Sequence, residues 1–182
     1  MISTFNTTDP ARTFFTADLH LGHQNIIKYA RRPWTRTVDM DNALIRNINA
    51  RVQSDSDILV VVGDLTMESK EGFRKVRNWV NQMNGTKILV LGNHDRFKPQ
   101  TYIKMGFSVV ATSLVLSDGT LVVHDPAQAT AWPVGQNVIC GHVHEVFKRL
   151  PRRNDIAEIV NVGVDVWDYD PVSLAELRLG EQ

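Results

Sequence analysis

One cysteine, Cys140, is all this 182-residue chain contains, so no intrachain disulfide can form. Its setting, Asn137-Val138-Ile139-Cys140, is strand-like and fits a small buried residue. Long hydrophobic runs are also missing. The longest, Ile58 to Val62, is far too short to cross a bilayer, and the first residues, with Asn6, Asp9 and Pro10, show no signal-peptide core. A cytoplasmic location and no membrane partner are the expectations. Excess charge of either sign is absent as well, with 20 basic and 20 acidic residues. Bulk charge therefore gives no reason to expect a polyanion, and nucleic acid is not the expected partner. No repeat, low-complexity stretch or linker rich in Pro, Gly or Ser divides the chain, so residues 1–182 read as one domain.

What is present is periodic. Arg12 to Ala17, Asp57 to Val62 and Lys87 to Leu91 read as strands, the second apolar enough to be buried on both faces. Between them, Met40, Leu44, Ile45, Ile48 and Val52 form one face of a helix over 39–52. Phe73, Val76, Trp79, Val80 and Met83 form a second stripe, with Ser69 as N-cap and Gly85 beyond its end. Further on, 107–116 and 120–123 flank a Ser117-Asp118-Gly119 hairpin turn. Strands follow at 138–140 and 156–162, and Ser173 with Glu176 makes a capping box. The front half alternates strand and helix as parallel units do, and the back half is mostly strands. Trp34, Trp132 and Trp167 read as packing residues.

Five of the six histidines lie in short blocks that end apolar runs. The blocks are Asp18-Leu19-His20, Gly92-Asn93-His94-Asp95, His124-Asp125 and Gly141-His142-Val143-His144, joined by Gly63-Asp64 without a histidine. Residues two apart on an extended segment point to the same side, as Asp18 with His20 and His142 with His144 would. Gly63 and Gly92 allow a sharp turn and a close backbone approach just before Asp64 and Asn93. Any one block has an ordinary explanation as a turn. Together they are hard metal ligands set at strand ends. Imidazole, carboxylate and one amide, with no thiolate, suit manganese, iron, nickel, cobalt or zinc.

The order DxH, GD, GNHD, a lone His and GHxH resembles the calcineurin-like metallophosphoesterases, over Asp18 to His144. The resemblance implies an α/β fold, a four-layer α-β-β-α sandwich of two mixed sheets flanked by helices. It implies two divalent metal ions, one held by Asp18, His20 and His144, the other by Asn93, His124 and His142. Asp64 would bridge them. Manganese is the family's usual activator and the expected one. The implied reaction is hydrolysis of phosphate esters by in-line attack of hydroxide, with phosphodiesters or nucleotide-type small molecules as substrates. His94 would be the general acid, with Asp95 paired to its ring. Only 28 residues lie between Asp95 and His124 and 17 between His124 and His142, leaving no room for a cap domain. His23 stands outside the signature, three residues beyond His20, and is a candidate substrate contact. The rival reading is a metal-binding scaffold without catalysis. Oligomeric state is open.

Overall fold

The computed structural model describes residues 2–5, 9–131, 135–151, 156–177 and 179. Among the described residues eleven strands are β1 (Ile2–Phe5), β2 (Thr13–Thr16), β3 (Ile58–Val62), β4 (Thr86–Val90), β5 (Val109–Ala111), β6 (Ser113–Leu116), β7 (Leu121–Val123), β8 (Gln136–Cys140), β9 (Arg149–Leu150), β10 (Ile156–Asn161) and β11 (Val172–Ser173). The α-helices are α1 (Gln24–Tyr29), α2 (Thr37–Arg51), α3 (Phe73–Gln82), α4 (Pro99–Met105) and α5 (Leu174–Leu177). A five-stranded sheet runs β11-β2-β3-β4-β5, parallel from β2 to β5 with β11 antiparallel at its edge. A six-stranded sheet runs β1-β6-β7-β8-β10-β9 and mixes both pairings.

Alternation along β3 sets the layers. Leu59 and Val61 face the helix side with Met40, Leu44 and Ile48 of α2 and Val76 and Val80 of α3. Val60 and Val62 face the other sheet, meeting Leu114, Val122, Ile139 and Val160. Each strand of a doubly covered sheet has two apolar faces, which is why β3 and the end of β4 carry unbroken apolar runs. The far face of the six-stranded sheet is thinner. Leu121, Val123, Val138 and Cys140 pack there with Ala129 of a 3-10 turn, Pro126–Ala131. The fold is thus α/β, two mixed sheets flanked by helices, as expected.

Most expected elements stand within two residues of their expected bounds, with three departures. The run over 107–116 is two strands, not one. β5 closes the five-stranded sheet and β6 enters the six-stranded one, so the chain changes sheets at Thr112. Ser69 does not cap α3 with its side chain; a 3-10 turn, Lys70–Gly72, intervenes. β1, α1 and α4, four, six and seven residues long, and the two-residue β9 and β11 lie outside the expected elements. The hairpin turn is as expected, with Gly119 N–H donating to Leu116 O at 2.9 Å and φ of 87°. Ser173 and Glu176 do form a capping box: the Ser173 N–H donates to Glu176 Oε2 at 2.8 Å and the Glu176 N–H to Ser173 Oγ at 3.2 Å.

Trp34 packs edge-on against Tyr169, and Trp167 donates its indole N–H to Asn161 O. Trp132 lies outside the described residues.

Candidate metal centre

Five strands end at one place. β2 leads into Asp18 and His20, β3 into Asp64, β4 into Asn93 and His94, β7 into His124, and β8 into His142 and His144. Backbone hydrogen bonds continue past the strand ends and hold the loops together. Asp18 N–H donates to Gly63 O, His20 N–H to Asp64 O, and Gly141 N–H to His124 O. Gly63 has φ of 83°, and a Cβ there would lie 2.3 Å from His124 Nδ1. A Cβ on Gly92 would lie 2.2 Å from Asp64 Oδ1. Both positions therefore need glycine, one for its backbone angle and space, the other for space alone.

The side chains fall into two groups. Ligand atoms of Asp18, His20 and His144 lie within 4.8 Å of one another, and so do those of Asp64, His124 and His142. Asp64 reaches both: its Oδ2 is 3.3 Å from His124 Nε2 and 3.6 Å from His20 Nε2. Asn93 Oδ1 is 3.0 Å from both His124 Nε2 and His142 Nδ1. The structure thus brings together all seven residues expected as ligands.

Of these groups His20 is the one whose protonation favours metal outright. His20 is buried, and neither ring nitrogen has a hydrogen-bond partner. Burial pushes its pKa down to about 3, so its ring is neutral and its lone pair free. An orphaned imidazole at 2% exposure costs stability unless something binds it, and a metal ion fits that vacancy of partners. Burial opposes the charge of Asp64, but the hydrogen bond and charge of His124 prevail and hold it at about 2. Burial likewise opposes the His124 cation, and the same pair raises it to about 9. Burial drives Asp18 up to about 6. Two rings are oriented from behind. His124 Nδ1 is 2.9 Å from Val62 O and His144 Nδ1 is 2.7 Å from Asp165 Oδ2. A proton on each Nδ1 leaves the other ring nitrogen facing inward.

Asp165 and Arg32 were missed as functional residues. The Arg32 side chain is fully buried, where an arginine is seldom found unless paired. It grips Asp165 through two nitrogens at 2.8 and 3.0 Å and donates to the carbonyls of Asp18 and Leu19. Burial opposes ionisation of Asp165, but hydrogen bonds from His144 and Arg32 keep its pKa below the ordinary value. Asp165 lies 21 positions beyond His144, outside every ligand block of the sequence.

Asp95 has a different task from the one expected. Its carboxylate accepts the backbone N–H groups of Asp64, Leu65 and Gly92 at 2.8–3.1 Å and the Tyr102 hydroxyl at 3.4 Å. Among the described contacts none joins it to the His94 ring. It shapes the loop instead, clamping the end of β4 to the end of β3. Three convergent backbone amides hold the carboxylate there. Asp125 is a turn residue, its Oδ1 accepting from Ala127 N–H.

His94 stands at the centre's open side, Nε2 4.0 Å from Asp64 Oδ2, and its N–H donates to Asp64 Oδ1. His23 begins α1, with Nδ1 buried and unpartnered and its ring 5.7 Å from that of His20.

Two mixed sheets with histidines, carboxylates and an amide gathered at their strand ends define a metal-dependent phosphoesterase. The calcineurin-like phosphoesterase family model matches residues 11–167, and the chain belongs to that family. It is 32% identical over 164 residues to an uncharacterized protein of Methanocaldococcus jannaschii, covering 90% of this chain and 87% of that one. It is 25% identical to the gene 66 protein of Mycobacterium phage L5, with 86% and 88% covered. A crystal structure of a protein of unknown function from Aquifex aeolicus superposes with a TM-score of 0.64 at 24% identity, covering 91% of this chain and 96% of that one, and shows the shared fold. No helix among the described residues is long and apolar enough to cross a membrane.

Proposed function

We propose that the chain is a cytoplasmic, single-domain enzyme without a cap, hydrolysing phosphodiesters at a two-metal centre, with manganese as its activating ion. Asp18, His20 and His144 would hold one ion, and Asn93, His124 and His142 the other, with Asp64 between them. The observation that carries this reading is the pair of ligand groups meeting at Asp64, beside a buried His20 that has no other partner.

Two divalent ions bound there would supply Lewis acidity toward phosphate oxygens and a nucleophilic water at neutral pH. The chain's own part is to orient and to move protons. Val62 O and Asp165 fix the His124 and His144 rings. His94 is exposed enough to meet a substrate and, among the described residues, carries no ring hydrogen bond to a carboxylate, so its Nε2 can donate a proton to a departing ester oxygen. Two divalent charges exceed the charge of Asp18 and Asp64, which leaves the site attractive to an anionic phosphoryl group.

The test is to strip the protein of metal, reload it with single divalent ions, and assay a monoester, a linear diester and cyclic nucleotides. Turnover should return with manganese and be highest on a diester. No turnover with any ion would overturn the enzyme reading in favour of a scaffold.

A further inference from the structure

One cavity of about 750 Å³ opens directly on the metal ligands, bounded on that side by His20, His94 and His144. Its other wall is mostly apolar. Ile26 and Tyr29 come from α1, Met67 from the loop after Asp64, and Val146 from the loop after His144. Tyr29 is 70% exposed and Val146 77% exposed, the highest values among the large hydrophobic side chains described. Both line this one cavity. Exposed apolar groups gathered in a concave site beside reactive groups are the usual make-up of a ligand pocket.

Charge narrows the occupant. Among the described lining residues there is no lysine or arginine, and the only carboxylate is Glu145. On the wall away from the histidines a second phosphate, or the backbone of a polynucleotide, would meet no lysine or arginine among the described lining residues and one carboxylate. An uncharged group loses nothing by entering. The wall is also built in place. Arg32, three residues beyond the end of α1, donates its backbone N–H to Ile27 O, and its side chain is anchored by Asp18 O, Leu19 O and Asp165. The helix that presents Tyr29 is therefore tied to the same loop that presents Asp18 and His20. His23, between them, stands with its ring 6.4 Å from the Tyr29 ring.

We infer that this cavity is the subsite for a flat, uncharged aromatic ester group on a substrate carrying a single phosphate, with Tyr29 and Val146 as its specificity-determining walls. The inference rests on the phosphoesterase reading above and names the substrate class within it. His94 lies on the same cavity, so the group held there is the one that departs. Nucleoside di- and triphosphates and long nucleic acids are the classes it disfavours.

Calorimetric binding to the manganese-loaded protein tests this without turnover. Phenylphosphonate should bind about tenfold more tightly than methylphosphonate, the gain expected from covering roughly half a ring. A carboxylate in the para position should cancel the gain. In Tyr29→Ala and in Val146→Ala the phenyl-to-methyl ratio should fall toward one while methylphosphonate binds as in the wild type; the retained methylphosphonate binding separates that result from loss of folding. Equal affinities in the wild type, or an undiminished ratio in both variants, would overturn the subsite. Failure of methylphosphonate itself to bind would overturn the phosphate reading of the centre, an outcome distinct from the first two.

Discussion

Asp18, His20, Asp64, His142 and His144 all hold positive φ, between 45° and 73°, a region that L-residues seldom occupy. Each costs about 1 kcal/mol or more relative to an ordinary backbone. Such strain gathers where function over-determines the geometry, and here it falls on five of the seven expected ligands. The remaining two, Asn93 and His124, share one hydrogen bond, and the His124 ring has a second to Val62 O. Residues behind the ligands should matter nearly as much as the ligands. Asp165→Asn should weaken metal binding about 10–100-fold, because the His144 ring loses its carboxylate partner; titration with manganese measures it. His94→Ala should slow hydrolysis of diesters with poor leaving groups about 100-fold or more, and those with good leaving groups less. Equal losses across a leaving-group series would remove its acid role.

At the scale of elements, the ends of β2, β3, β4, β7 and β8 do the assembling, and their contact distances leave no slack. Gly92→Ala would force its Cβ into Asp64 N at 2.3 Å, displacing the residue shared by both ligand groups. That variant should keep its far-ultraviolet circular dichroism and lose binding of both ions. This level also shows why some of the structure was legible in the sequence. The ligands sit in local blocks at strand ends, and a block of two to four residues carries its own signal. β3 and α2 were legible because their apolar periods are long. Arg32 and Asp165 were not, since 133 positions separate them and only the fold makes them partners. The change of sheet at Thr112 was hidden because an apolar run does not reveal which sheet each half joins. β1 (Ile2–Phe5) was too short to show a period.

Across the whole molecule, stability and metal occupancy are linked. Ions that bind only the folded chain should stabilise it by about 2.7 kcal/mol per site at a hundred times the dissociation constant, seen as a rise in melting temperature on loading. A second contribution lies away from the centre. Asp57 accepts from the Arg12 side chain at 2.7 Å and from the amides of Gln53 and Ser54 at 2.8 and 2.9 Å, tying the end of α2 to the start of β3. Burial opposes its charge, but those donors hold its pKa below the ordinary 3.8. A carboxylate with a depressed folded pKa stabilises above its unfolded pKa and loses that contribution as pH falls through the folded one. Asp57→Ala should therefore cost about 2 kcal/mol in denaturant unfolding at pH 7, with the gap to wild type narrowing on acidification below about pH 4.

The central claim, a two-ion centre joined at Asp64, is tested most directly by counting manganese per chain as metal-free protein is titrated, with phosphodiesterase activity followed in parallel. The account predicts two ions per wild-type chain, activity that rises with their binding, and weakened binding of both in Asp64→Asn. Full activity with one ion or none, or two tightly held ions in Asp64→Asn, would contradict it.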